Sequence, residues 1–171
     1  DPDITKIAKK TLIQSRDIDT MANVFATKIT PGCPVSIELT DAKTKEILDT
    51  LEVDAVLVAT GRVPNSKGLN LESIGIETNK GYIPIDTKMR VLKGGEIVPN
   101  VWAVGDVTGK LMLAHTAAAQ GTIAVENICG NTKDIDYKTI PAATFTHPEI
   151  SSVGLSEKEA KENSLKESFE L

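Results

Sequence analysis

The chain has 171 residues, of which 40% are hydrophobic, and carries a formal net charge of −5 with acidic and basic residues interspersed. That length makes one domain or pieces of two or three, and the hydrophobic content is ordinary for a globular protein. The scattered charge argues against nucleic acid as the main partner, no apolar run is long enough to cross a membrane, and no basic-then-apolar leader opens the chain.

Asp1 to Ile13 reads as a helix, with Asp1 as N-cap and Pro2 at the first helical position. Ile4, Ile7, Ala8 and Leu12 share one face, and Lys6, Lys9 and Lys10 the other. The opening residue is Asp rather than Met, so we expect the natural start to lie elsewhere. Val24 to Thr30 is a short strand closed by the turn Pro31-Gly32-Cys33-Pro34. Val35 to Leu39 alternates as a half-buried strand. Asp41 to Lys45 is a polar turn, and Ile47 to Leu51 returns antiparallel, which makes a meander. The cysteines are Cys33 and Cys129, far apart and outside any metal or Cys-x-x-Cys spacing, so they read as reduced thiols.

Val53 to Ala59 (VDAVLVA) is nearly continuous apolar sequence, as a strand covered on both faces requires. It ends at Thr60-Gly61, where a glycine lets a ligand or another backbone come close, and Pro64 prevents continuation inside a sheet. Arg62 reads equally as a solvated loop residue or a cofactor contact. Gly68 to Ile76 is a loop with one helical turn. Gly81 to Ile85 is a short strand, with Pro84 marking an edge or a strand end. Met89 to Pro99 contains Gly94-Gly95 and reads as a hairpin turn.

Val101 to Val104 is a short buried strand that ends abruptly in Gly105-Asp106. A helix starts around Leu113 to His115 and runs to about Cys129. It is apolar nearly all round and should be buried, with Gly130 and Asn131 closing it. In open α/β sheets, ligands sit outside the carboxyl ends of strands. A carboxylate there accepts hydrogen bonds from sugar hydroxyls, and a helix start offers unpaired N–H groups and about half a positive charge. Together they suit a ligand with a polyol chain and a ring that becomes anionic. Thr132 to Ile140 is a polar connection. Ala142 to Thr146 and Ile150 to Val153 are strands around His147-Pro148-Glu149, and no chemistry is assigned to His147. Ser156 and Glu159 have capping-box spacing and start a helix. Asn163 to Leu171 shows little pattern.

The run AVGD, followed by Met112-Leu113-Ala114-His115, resembles the second flavin motif of the pyridine nucleotide–disulfide oxidoreductases. VLVATGRVPN before it and THPEISSVG after it match the same family in order and spacing, and the MLAH quartet is most similar to the dihydrolipoamide dehydrogenase branch. The resemblance implies an α/β fold: partial Rossmann-like FAD- and NAD-binding domains with a β-meander, plus the start of an α+β interface domain. It implies that residues 1–64 are the second half of the NAD domain, 65–136 the central segment closing the FAD site, and 137–171 the first piece of the dimerisation domain. By the same resemblance Asp106 binds the ribityl or phosphate region of FAD, and Met112, Leu113, Ala114 and His115 lie against the flavin near N1 and O2. Gly61 matches a position that touches NAD, and Ile29 one near its adenosine half.

The family oxidises dihydrolipoamide with NAD, passing electrons through an enzyme disulfide and FAD. Its partners are the lipoyl-bearing acyltransferase of a 2-oxo acid dehydrogenase complex and a second copy of the enzyme. The compartment expected is the cytoplasm, or an organelle matrix or stroma. The present sequence holds no G-x-G-x-x-G, no closely spaced cysteine pair and no C-terminal His–Glu pair, so the isolated chain is expected to be inactive. Without the first strands of the NAD domain the helix Ile4 to Leu12 loses much of the sheet it should cover, so marginal stability, or partners that complete the core, are expected. Two alternatives remain open. One is another disulfide reductase of the glutathione or mercuric type; the other is a non-catalytic binding or interaction module.

Overall fold

A computed structural model of the chain describes residues 1–167, with side chains through residue 164. The end of the segment read as patternless, residues 168–171, lies outside the described residues. Two compact units are present: Thr5–Gly61, and Arg62–Leu171 together with Asp1–Ile4. The opening helix α1 spans Pro2–Ala8. The Asp1 carboxylate accepts from the Asp3 and Ile4 N–H groups at 2.9 and 3.4 Å, which is the cap the sequence announces. From Lys9 to Ile13 the helix loosens into a π-turn, and a 3₁₀ turn follows over Gln14–Arg16.

The unit Thr5–Gly61 contains the expected meander: β1 (Val24–Thr30), β2 (Val35–Asp41) and β3 (Ile47–Val53), antiparallel in the order β1-β2-β3. Ile29 pairs with Ile37, and Leu39 pairs with Ala26 on one side and Asp49 on the other. The β2–β3 turn is set by Asp41, whose carboxylate accepts from Lys43 and Thr44 N–H at 2.7 and 2.8 Å. Those two bonds, Thr44 first, hold its pKa below the ordinary aspartate value. The strand expected over Val53–Ala59 does not form. β3 ends at Val53, and the apolar run beyond it is irregular and open, with Leu57 89% and Val58 66% exposed. A strand of that composition needs a neighbour on each edge and a layer on each face, and among the described residues no strand pairs with it.

The other unit is built on the hairpin β4 (Arg90–Lys93) and β5 (Glu96–Trp102), turned at Gly94-Gly95 as expected. Its core is Ile76, Ile83, Ile85, Met89, Val91, Ala103, Ala124 and Ile135. The strand expected over Gly81–Ile85 is reduced to bridges, Asn79 with Tyr82 and Ile85 with Val91, because the N–H of Ile83 is spent on Val107 O at 2.9 Å and Pro84 has none to give. The bend into β4 is held by Asp86, which accepts from Lys88 N, Arg90 N and Arg90 Nε at 2.9, 2.9 and 2.7 Å.

Helix α2 (Ala114–Ile128) is the longest element. It closes with Gly130 N–H donating to Asn127 O at 3.2 Å and Asn131 N–H to Glu126 O at 2.9 Å, a Schellman arrangement. The expectation of burial all round is corrected. Only the stripe Thr116, Gln120 and Ala124 is buried, while Val125 and Ile128 are 59% and 56% exposed. Residues four apart share one face, and on that face Ala124 joins the core cluster. The supposed polar connection is also a packed segment: Ile135 is in the core and donates to Thr87 O at 3.0 Å. Beyond it lie the hairpin β6 (Ala142–Thr144) and β7 (Ile150–Ser152) and the helix α3 (Glu157–Glu167). Glu159 accepts from Ser156 N and Oγ at 2.8 and 2.6 Å, and Ser156 Oγ accepts from Glu159 N at 3.3 Å, completing the capping box.

Candidate functional site

Strand β5 delivers the chain through buried Ala103 to Gly105. There the backbone turns with φ 83° and ψ −163°, a region open essentially to glycine alone. Gly105 is fixed on both sides. Its N–H donates to Gln120 Oε1 at 2.6 Å, and its carbonyl accepts from Thr108 N at 3.0 Å and Thr108 Oγ1 at 2.8 Å. A 3₁₀ turn, Asp106–Thr108, follows, and the Gly109 N–H donates to Asp106 O at 3.0 Å. The side chain of Asp106 is exposed, and its carboxylate makes no hydrogen bond or ion pair with the described residues. A hydrogen-bonded turn thus presents a carboxylate with no partner among the described residues.

The stretch from this turn to α2 is also tethered. Gly109 lies in the left-handed region, φ 69°, and the ring of Tyr82 occupies the space where a Cβ would stand. The Tyr82 hydroxyl reaches Met112 Sδ at 3.9 Å. Leu113 is the N-cap of α2 and supplies no side-chain hydrogen bond; the first intrahelical bond runs from Ala117 N–H to Leu113 O at 3.0 Å. The amides of Ala114, His115 and Thr116 precede that bond, so the positive end of the helix has no capping side chain. Gly105 packs beside this first turn, its would-be Cβ 3.7 Å from Ala117 Cβ.

Asp106, Met112, Leu113, Ala114 and His115 therefore belong to one unit and one connection. The imidazole of His115 is engaged elsewhere: Nε2 donates to Pro141 O at 2.7 Å, which ties the start of α2 to the entry of β6. Gly61 and Ile29 belong to the other unit. Gly61 has φ 104° and open space around it, and Ile29 is 42% exposed on β1. Cys33 and Cys129 are exposed thiols, and among the described residues no cluster of His, Cys, Asp or Glu could hold a metal ion.

Three residues that shape the site were absent from the sequence reading: Gln120, Tyr137 and Tyr82. Gln120 is fully buried and donates from Nε2 to Tyr137 Oη at 3.0 Å while accepting from Gly105. The available signal was a lone amide in the run Ala117-Ala118-Ala119-Gln120, four residues after Thr116 on the same helical face.

A strand-end carboxylate joined by a short loop to an uncapped helix start is an arrangement that α/β proteins use around bound nucleotides. The model of the pyridine nucleotide-disulphide oxidoreductase family matches residues 1–121, and that of the pyridine nucleotide-disulphide oxidoreductase dimerisation domain matches residues 140–170. The chain belongs to this family. It is 62% identical over 170 residues to a dihydrolipoyl dehydrogenase of Synechocystis, covering 99% of this chain and 36% of that protein. It is 54% identical to the chloroplastic dihydrolipoyl dehydrogenase 2 of Arabidopsis thaliana, covering 100% of this chain and 31% of the relative. The chain thus spans about a third of the length of these relatives. Among solved structures, LpdA from Mycobacterium tuberculosis matches with a TM-score of 0.79 at 33% identity, over 96% of this chain and 34% of that one. The HOCl-induced flavoprotein disulfide reductase RclA from Escherichia coli, crystallised as a Cu(II) complex, matches with a TM-score of 0.72 at 28% identity, over 95% of this chain and 35% of that one. The α/β fold and the place of the chain among the pyridine nucleotide-disulphide oxidoreductases follow from these likenesses.

Proposed function

We propose that this chain is a segment of a dihydrolipoyl dehydrogenase that oxidises protein-bound dihydrolipoamide with FAD and NAD. The observation that carries the reading is the 62% identity to a dihydrolipoyl dehydrogenase over 99% of the chain. The donor set fits a flavin nucleotide: a free, exposed carboxylate at Asp106 and an uncapped helix start at Leu113. In this reading Asp106 binds the ribityl or phosphate region of FAD, accepting hydrogen bonds from the ribityl hydroxyls. Met112, Leu113, Ala114 and His115 border the ring, and the amides of the first α2 turn favour negative charge there by up to about 2 kcal/mol. Gly61 contacts NAD, and Ile29 lies near its adenosine half. FAD supplies the electron transfer between dithiol and nicotinamide; the chain supplies position and field.

The domain reading is that residues 1–64 complete an NAD domain, 65–136 close the FAD site and 137–171 begin the dimerisation domain. The partners that follow are a second copy of the whole enzyme and the lipoyl-bearing acyltransferase of a 2-oxo acid dehydrogenase complex, with no role for nucleic acid. The chain alone is inactive. The compartment in this reading is the cytoplasm, a matrix or a stroma. No helix among the described residues is long and apolar enough to cross a membrane. A second reading, another flavin disulfide reductase, draws on the likeness to RclA, but at 28% identity it is the weaker of the two.

The test uses the whole protein containing this segment. Dihydrolipoamide-dependent NAD reduction and a flavin spectrum are expected, and Asp106→Ala should release FAD during purification. Activity toward glutathione disulfide in place of dihydrolipoamide would move the assignment to the second reading. Unchanged flavin content in the Asp106→Ala protein would refute the site.

A further inference from the structure

We propose that Gln120 is a positioning residue for Asp106 and that Tyr137 holds the far end of its amide; this rests on the reading of Asp106 as a FAD contact. Gln120 lies in the second turn of α2 with no exposed surface. Both ends of its amide are in use: Oε1 accepts the Gly105 N–H at 2.6 Å, and Nε2 donates to Tyr137 Oη at 3.0 Å. Gly105 immediately precedes Asp106. Thr108, itself buried, holds the other side of the same residue through its N–H and Oγ1. The residue before Asp106 is thus hydrogen-bonded on both sides, and the Asp106 carbonyl accepts from Gly109 N–H.

Nitrogen and oxygen of a glutamine amide occupy nearly the same shape, and the partners decide which way it points. The Gly105 N–H can only donate, so it draws the amide oxygen toward itself. The Tyr137 hydroxyl, which can donate or accept, accepts from the NH₂ end. Without that hydroxyl the NH₂ end loses its partner, and the side chain loses the bond that holds its far end. A carboxylate in place of the amide has no such ambiguity. It accepts from Gly105 N–H, and the Tyr137 hydroxyl rotates to become a donor.

This separates positioning from space-filling. Glu at 120 keeps the acceptor and adds charge. Met keeps the volume and removes the acceptor, leaving the part-buried Gly105 N–H without its partner. If Gln120 only fills space, Met is the milder change; if it positions Asp106, Glu is.

The experiment is FAD titration of the flavin-free whole protein, followed by flavin fluorescence, with hydrogen exchange at the Gly105 amide as a readout independent of cofactor. Q120M should weaken FAD binding roughly tenfold, the effect of one unpaired part-buried donor, and speed Gly105 exchange. Q120E should bind FAD within about twofold of the wild type, and Y137F should fall between the two. Equal or tighter binding by Q120M than by Q120E would overturn the proposal. So would faster Gly105 exchange in Q120M with FAD affinity unchanged. Should Q120M not fold, Y137F decides: wild-type affinity in that variant overturns the proposal, and a loss alongside an intact Q120E supports it. If Asp106→Ala weakens FAD binding while Q120M and Y137F do not, this inference alone fails. If the wild-type protein binds no FAD, the flavin reading fails and takes the inference with it.

Discussion

Replacing Gly109 by Ala should loosen the whole connection between Asp106 and α2, and its cost can be worked from the structure. Gly109 has φ 69°, so an L-residue there pays about 1–2 kcal/mol for left-handed backbone. The added Cβ would stand 2.8 Å from Tyr82 Cδ1, 3.0 Å from Cγ and 3.2 Å from Cε1. Contact with Cγ means the ring cannot escape by a torsion at its far end. Its root is held as well, since Tyr82 and Asn79 exchange N–H···O bonds of 2.9 Å in both directions. Forcing an atom into such a place costs about 1–3 kcal/mol more. The internal control is Gly94, also in the left-handed region at φ 57° but with nothing within 4 Å of its would-be Cβ; Gly94→Ala carries the backbone cost alone. In urea unfolding of the whole protein, Gly109→Ala should therefore exceed Gly94→Ala by about 1–3 kcal/mol. The extra loss should vanish when Gly109→Ala is made in a Tyr82→Ala background, since the two residues then no longer collide. Equal losses at the two glycines, or an undiminished loss in the Tyr82→Ala background, would refute the argument that Tyr82 holds this loop.

Thr116 is fully buried and its Oγ1 has no hydrogen-bond partner among the described residues. Thr116→Val removes that hydroxyl at nearly constant shape and should raise stability by about 1 kcal/mol; a lower Tm would show that the hydroxyl is paired. Burial pushes the Asp86 carboxyl up, but the Arg90 side chain and the Arg90 and Lys88 N–H groups outweigh it and hold the pKa below the ordinary aspartate value. A depressed folded pKa contributes stability that is present above the unfolded value and lost as pH falls through the folded one. Asp86→Asn should therefore cost about 1–2 kcal/mol at neutral pH, and the gap to wild type should close in acid. A gap in Tm that stays constant well below the carboxylate range would contradict this.

Local chemistry made much of the chain legible. Asp1-Pro2, the turn at Asp41, Gly94-Gly95, the Ser156–Glu159 box and the Gly130 terminus each satisfy their own backbone within a few residues, so their partners are written beside them. The AVGD and MLAH runs pointed to the proposed site for the same reason, because a strand end, a loop and a helix start are consecutive in sequence. What composition misjudged were elements whose state depends on distant neighbours. VDAVLVA has the residues of a buried strand, yet a strand exists only where other strands meet it, and none among the described residues does. Gly81 to Ile85 lost its ladder to a bond between Ile83 and Val107 across the loop. Gln120 looked like one polar residue in an apolar helix; its importance comes from Gly105 and Tyr137, 15 and 17 residues away along the chain. Periodicity reports which face a residue occupies, but the identity of the group waiting at that face is set by folding, because hydrogen-bond partners are chosen by proximity in space rather than along the chain.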